Sequence, residues 1–197
     1  DRIESRGLGD VYKRQIVDWS GLEVVDCTGR FVLPAWCDSH THLVFAAPRG
    51  AEFLARLEGK TYQEIAEAGG GILNSAKALE ALPEAELLNS ARVRLEQVIL
   101  QGTGAIEIKS GYGLSTESEL KMLRVIAALK SEYSIPIRST FLGLHAVPEG
   151  KWTAKSWTEH VIAELLPKVS EERLADYVDS FCETGYFSVG DSEALLK

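Results

Sequence analysis

Leu33-Pro34-Ala35-Trp36-Cys37-Asp38-Ser39-His40-Thr41-His42 sets an apolar run against an acid and two histidines one residue apart. On a β-strand residues i and i+2 point to the same face. His40 and His42 at a strand's end therefore offer two imidazoles to one metal ion. A catalytic metal normally takes at least three protein ligands and keeps a position open for water, so the pair is half a site. Asp38 is placed to orient a ligating imidazole from behind.

Outward from this stretch, short apolar β-prone runs alternate with longer amphipathic ones. The expected strands are Phe31 to Asp38, Ala105 to Lys109, Ile137 to Leu144 and Tyr177 to Cys182. Glu84 to Gln101 carries Leu87, Leu88, Ala91, Leu95, Val98 and Ile99 on one helical stripe, with Pro83 suited to the first turn. Thr116 with Glu119 fits a capping box, whereas Ser115 with Ser118 does not, and the helix it opens runs toward Lys130. Val161, Ile162, Leu165, Leu166 and Val169 form a third stripe, and Ala51 to Ala68 reads as a helix ending at Gly69-Gly70-Gly71.

Strands alternating with helices of this length imply βαβ units around a parallel sheet. A doubly wound sheet and a (β/α)8 barrel both begin this way. His40 and His42, Lys109 to Gly113, His145 and Glu183 each follow directly on an expected strand, and polar chemistry at the C-terminal ends of successive strands is how a barrel builds its site. The fold class is therefore α/β, a partial TIM (β/α)8 barrel with about its first four βα units. Four units are half a barrel, so the chain reads as a fragment. Residues 1–15 look like a non-native tail or sequencing scar, 16–30 like the remnant of a small β-domain, and 31–197 like the N-terminal half of the barrel.

Composition narrows the partners. The 197 residues carry a net charge of −8 and a pI near 5.1, which argues against nucleic acid or an anionic membrane and for a small-molecule substrate. Cys27, Cys37 and Cys182 have no paired spacing, so neither a disulfide framework nor a thiolate zinc site is suggested, in keeping with the cytoplasm.

The other chemistry-bearing residues each carry two readings. Arg49 is a solvated loop arginine or a carboxylate clamp. Tyr112, between Gly111 and Gly113, is a packed aromatic in a tight turn or a hydroxyl offered to a ligand. His145 is a structural histidine or a general acid/base. Lys109 has the option of carboxylation to bridge metals, which nothing in the sequence requires. Gly69 to Ile72 lacks the residues of a phosphate loop, and Glu183 is a solvated carboxylate or a rim residue.

Leu33-Pro34 through His42 resembles the amidohydrolase superfamily. AAPRGAEFLARLEGKTYQEIAEAGGGI (46–72), EIKSGYGLSTESELKMLRV (107–125), STFLGLHAVP (139–148) and DSFCETGYFS (179–188) narrow the resemblance to its imidazolonepropionase family, from about Ile16 onward. The resemblance implies a small β-sandwich domain beside the barrel and one Zn2+ or Fe3+ per site, held by His40 and His42. It places substrate binding on Arg49, Tyr112 and His145, with His145 also catalytic. The implied reaction is hydrolysis of the cyclic amide of 4-imidazolone-5-propanoate to N-formimidoyl-L-glutamate in histidine degradation, in the cytoplasm, with a homodimer as one arrangement of the parent. Ala35 departs from the family's usual glycine. A further histidine, an aspartate and another acidic residue that the family draws from later strands are absent, so the chain alone is expected to be inactive. The alternatives are another amidohydrolase, such as a deaminase or a dihydroorotase-like enzyme, or a non-catalytic fragment.

Overall fold

The computed structural model describes Gly21, residues 23–61, Glu64 and residues 71–197. Residues 1–20 lie outside this set, and with them the expected tail and the start of the β-remnant. The described chain divides into two compact units, Asp1–Pro34 and Ala35–Lys197. In the first, residues 23–34 form no strand. A turn is closed by the Arg30 N–H donating to the Cys27 carbonyl at 3.0 Å, and Asp26 Oδ1 accepts from the Thr28 N–H at 2.9 Å.

The second unit holds four parallel strands, β1 (Trp36–Thr41), β2 (Thr103–Lys109), β3 (Ile137–Leu144) and β4 (Tyr177–Ser180). They pair in the order β1-β2-β3-β4. A doubly wound sheet must reverse its strand order at a switch point; consecutive neighbours without reversal are the arrangement of a barrel wall. The unit is thus a curled partial TIM barrel. Helices α1 (Gly50–Leu57), α2 (Ile72–Ala81) and α3 (Glu84–Leu100) connect β1 to β2, and α4 (Thr116–Glu132) connects β2 to β3. Next come α5 (Ala154–His160), a π-helical turn (Val161–Leu165) and α6 (Leu166–Glu171), leading to β4; α7 (Val189–Leu196) follows.

The core lies between the sheet's outer face and these helices. Ile106, Ile108, Phe141 and Leu144 pack with Leu87, Ala91 and Leu95 of α3 and Leu120, Leu123, Ile126 and Leu129 of α4. Each fully buried leucine removes apolar surface worth about 2 kcal/mol. Strand β3 is buried on both faces apart from Arg138, as a central parallel strand should be.

Several boundaries differ from the sequence expectation for local reasons. Strand β1 starts at Trp36, not Phe31, because pairing with β2 begins where Trp36 meets Thr103; it therefore runs through Asp38 and includes His40. Strand β4 stops at Ser180, with Cys182 in an isolated bridge to Phe187. The helix expected over Ala51 to Ala68 ends at Leu57, where Gly59 takes φ +87°, a conformation open to glycine; residues 62–63 and 65–70 lie outside the described set. Pro83 is the residue just before α3 rather than its first turn. The Val161 stripe is not uniformly α-helical. Pro167 has no N–H to give to Ala163, and the helix widens into the π turn just before it, with the Leu166 N–H donating to the Val161 carbonyl.

The start of α4 corrects the capping reading. Ser115, not Thr116, is the cap, its hydroxyl accepting from the Ser118 N–H at 3.2 Å. Glu119 turns away from the helix end altogether, toward the preceding loop.

Candidate active site

Residues from three strand ends meet at one rim of the sheet. His42 is the first residue after β1 and His145 the first after β3, and their rings stack with centroids 5.0 Å apart and 4° between planes. Tyr112, three residues after β2, stands edge-on to both, 4.9 Å from His42 and 5.2 Å from His145. His40, in β1 and exposed, places its ring 5.7 Å from His42. Phe181 closes the cluster beyond β4, 5.9 Å from His145 and 4.7 Å from Tyr186.

The turn after β2 is built for this contact. Gly111 adopts φ +105°, and a Cβ there would sit 2.9 Å from both His145 Nδ1 and the Leu142 carbonyl oxygen. Glycine is required for conformation and for room alike. The Gly111 carbonyl lies 2.9 Å from His145 Nδ1. A carbonyl only accepts, so Nδ1 carries the proton and Nε2 is the acceptor in the neutral ring. Burial also holds the His145 pKa below its ordinary value, against the pull of the Gly111 bond.

His42 sits in a strongly perturbing environment. Burial first, then the neighbouring His145 and His40, push its pKa down to about 4, so the ring is neutral at physiological pH, the form that ligates metals. Its Nδ1 is buried without a hydrogen-bond partner, a condition that costs about 1–3 kcal/mol unless something meets the lone pair or the proton. A metal ion beside His40 and His42 would meet it, so the residues present fit such an ion. Among the described residues no group of three or more histidine, cysteine, aspartate or glutamate side chains is arranged to hold one. His40 and His42 would supply two imidazoles to such an ion.

Arg49, Tyr112, His145, Phe181, Tyr186 and Ile72 line a cleft of about 180 Å³. The Arg49 Nε donates to Glu52 Oε2 at 2.7 Å and its Nη2 meets the same oxygen, while Glu52 Oε1 accepts from the Gly71 N–H at 2.9 Å. One carboxylate oxygen of Glu52 thus accepts from both the Nε and Nη2 edges of Arg49, while the other is held by Gly71, which fixes the direction of the arginine fork.

Other expectations are redirected. Asp38 accepts from the His40 backbone N–H at 3.3 Å, so the hydrogen bond it makes is to the chain and not to an imidazole ring. Lys109 is buried between Asp179, at 2.8 Å, and Glu107, at 3.2 Å. Burial alone would lower its pKa, but the two carboxylates outweigh it and raise it, which keeps the amine charged and opposes carboxylation. Glu183 is exposed and accepts from the Thr184 N–H at 2.7 Å.

No family model matches the chain. Curated relatives do. An imidazolonepropionase of Flavobacterium johnsoniae is 53% identical over 175 residues, covering 88% of this chain and 43% of the relative. One from Desulfotalea psychrophila is 46% identical over 193 residues, 96% and 47% of the two chains, and one from Clostridium tetani is 46% identical over 194 residues, 98% and 46%. The chain belongs to the imidazolonepropionase family. It spans less than half the length of these relatives.

Within this chain, Phe181, Tyr186 and Glu52 are site neighbours that residue patterns did not single out, and Glu119, read from its spacing as a helix cap, is another. Phe181 left a signal of another kind: it lay inside the expected strand Tyr177 to Cys182, and the observed strand ends before it, at Ser180. Glu52 had one too, lying three residues after Arg49 at helical spacing.

Proposed function

We propose that the protein carrying this chain hydrolyses the cyclic amide of 4-imidazolone-5-propanoate to N-formimidoyl-L-glutamate, with a zinc or iron ion at His40 and His42. The observation that carries the reading is the convergence of Arg49, Tyr112 and His145 on one cleft beside the buried, unpartnered His42 Nδ1, in a chain 53% identical to a named imidazolonepropionase.

Arg49 takes the propionate carboxylate through its fork. The Tyr112 hydroxyl and His145 Nε2 hydrogen-bond the ring, and the protonated Nδ1 held by Gly111 keeps Nε2 able to accept a proton. Water adds to the ring carbonyl carbon, the carbon–nitrogen bond breaks, and the departing nitrogen takes up a proton. A bound metal supplies Lewis-acid polarisation of the carbonyl and lowers the pKa of water. Its remaining ligands are expected from sequence that the relatives have beyond the length matched here. The reading brings with it a cytoplasmic enzyme with a small-molecule partner, for which a net charge of −8 disfavours nucleic acid.

The test is loss of the imidazolone ring absorbance with the 197-residue chain, alone and within its full reading frame. Turnover is expected only from the latter. Activity confined to another cyclic amide would replace this substrate, and turnover by neither form would reject the proposal.

A further inference from the structure

The turn that carries Tyr112 is held from below by a single buried carboxylate. Glu119, in the first turn of α4, is 1% exposed. Its Oε2 accepts from the Gly111 N–H at 2.9 Å, and its Oε1 accepts from the Gly113 N–H at 2.6 Å and the Leu114 N–H at 3.2 Å. Three successive-turn donors thus converge on one side chain eight residues or fewer along the chain. No cation is paired with it in these contacts.

A buried carboxylate is costly and persists only where hydrogen bonds compensate it. What it secures here is strained backbone: Gly111 has φ +105° and Leu114, which has a side chain, has φ +50°. Gly113 fits so closely that a Cβ would lie 2.4 Å from the Glu119 backbone nitrogen. The same residue, Gly111, whose N–H meets Glu119 precedes Tyr112 and carries on its other side the carbonyl that fixes the His145 tautomer. An exposed turn of this kind would sample several conformations.

We propose that Glu119 is a positioning residue of the substrate site, setting the Tyr112 hydroxyl and the His145 tautomer together through the Gly111–Leu114 backbone. The inference rests on the substrate reading above only in what Tyr112 and His145 touch. The linkage itself is a property of this chain. Glu119→Gln is the sharp variant, because its amide nitrogen can accept from none of the three N–H groups, so at least one oxygen's worth of bonding is lost.

The experiment uses the 197-residue chain labelled with ¹⁵N. Ring ¹⁵N shifts at about pH 8, where imidazoles are neutral, report the His145 tautomer, and exchange with deuterated water reports the Gly113 N–H. Imidazole-4-propionate is the binding probe. Wild type is expected to show the proton on His145 Nδ1 and a protected Gly113 N–H. Glu119→Gln is expected to show a mixed tautomer at His145 and roughly tenfold weaker probe binding. An unchanged tautomer in Glu119→Gln overturns the proposal. Should that variant fail to fold, wild-type exchange decides: a protected Gly113 N–H supports the clamp, and one exchanging as in an unfolded peptide overturns it. Absence of probe binding by wild type counts against the substrate reading, while the tautomer and exchange results still judge Glu119.

Discussion

His42 and His145 stack face to face, 5.0 Å between ring centroids, although their strands are not neighbours: β2 lies between β1 and β3. The contact is possible because each histidine follows the last residue of its strand and the narrow turn at Gly111 lets the rings meet above β2. One of the two rings has a satisfied Nδ1, bonded to Gly111; the other, on His42, has none.

That asymmetry separates packing from ligation. Replacing His42 with Phe keeps an aromatic ring against His145 and removes an unsatisfied buried polar atom. The metal-free variant is expected to be as stable as wild type or more so by about 1 kcal/mol, while zinc no longer raises its melting temperature. A metal-free Phe variant destabilised by more than about 2 kcal/mol would show that the His42 ring is structural.

Gly111→Ala tests the turn. Its positive φ and two 2.9 Å clashes predict a loss of about 2–3 kcal/mol or failure to fold in denaturant titration. Gly150 has φ +100° but nothing within 4 Å of a Cβ. Gly150→Ala is therefore expected to cost about 1 kcal/mol, and the difference between the two isolates the contact with His145 and Leu142.

Much of the architecture was legible because hydrophobic period and strand-end chemistry agree. The β3 span Ile137–Leu144 follows from its run of apolar and β-branched residues, and α3 from the Leu87, Ala91, Leu95 stripe. Phe31 misled because an apolar, β-prone residue needs a partner strand to become part of a sheet, and pairing begins only at Trp36. The Thr116–Glu119 pattern misled differently. A capping motif assumes that the glutamate faces its own helix end, but here the three N–H groups of the Gly111 turn compete for it and win. Local spacing cannot show a loop folding back.

Lys121 makes a contact of the same non-local kind. Its Nζ donates to the Leu79, Glu80 and Leu82 carbonyls at 2.8, 3.1 and 2.9 Å, closing the C-terminal end of α2, whose last carbonyls have no partner within the helix. Lys121→Met should cost about 1–2 kcal/mol and speed amide exchange in α2 more than in α3. Equal exchange in both helices would contradict the cap.

Asp176 offers a pH-dependent test away from the site. Burial favours its protonated form, but the Lys130 ammonium and the Ser139 N–H outweigh this and hold its pKa below the ordinary value. Its contribution is therefore present above the unfolded aspartate pKa and is lost as pH falls through the lower folded value. Wild type should lose stability progressively below about pH 4, and Asp176→Asn should flatten that part of the curve. Parallel curves for the two proteins would remove Asp176 from the account.

The most direct measurement is steady-state hydrolysis of 4-imidazolone-5-propanoate by the metal-loaded protein from the full reading frame, comparing wild type with His42→Ala and Arg49→Met. Wild type is expected to turn the substrate over, His42→Ala to lose at least about a hundredfold in kcat, and Arg49→Met to raise KM by roughly tenfold or more. Hydrolysis that survives His42→Ala undiminished, or a metal-loaded wild type that leaves the ring intact, would contradict the assignment of this rim as the active site.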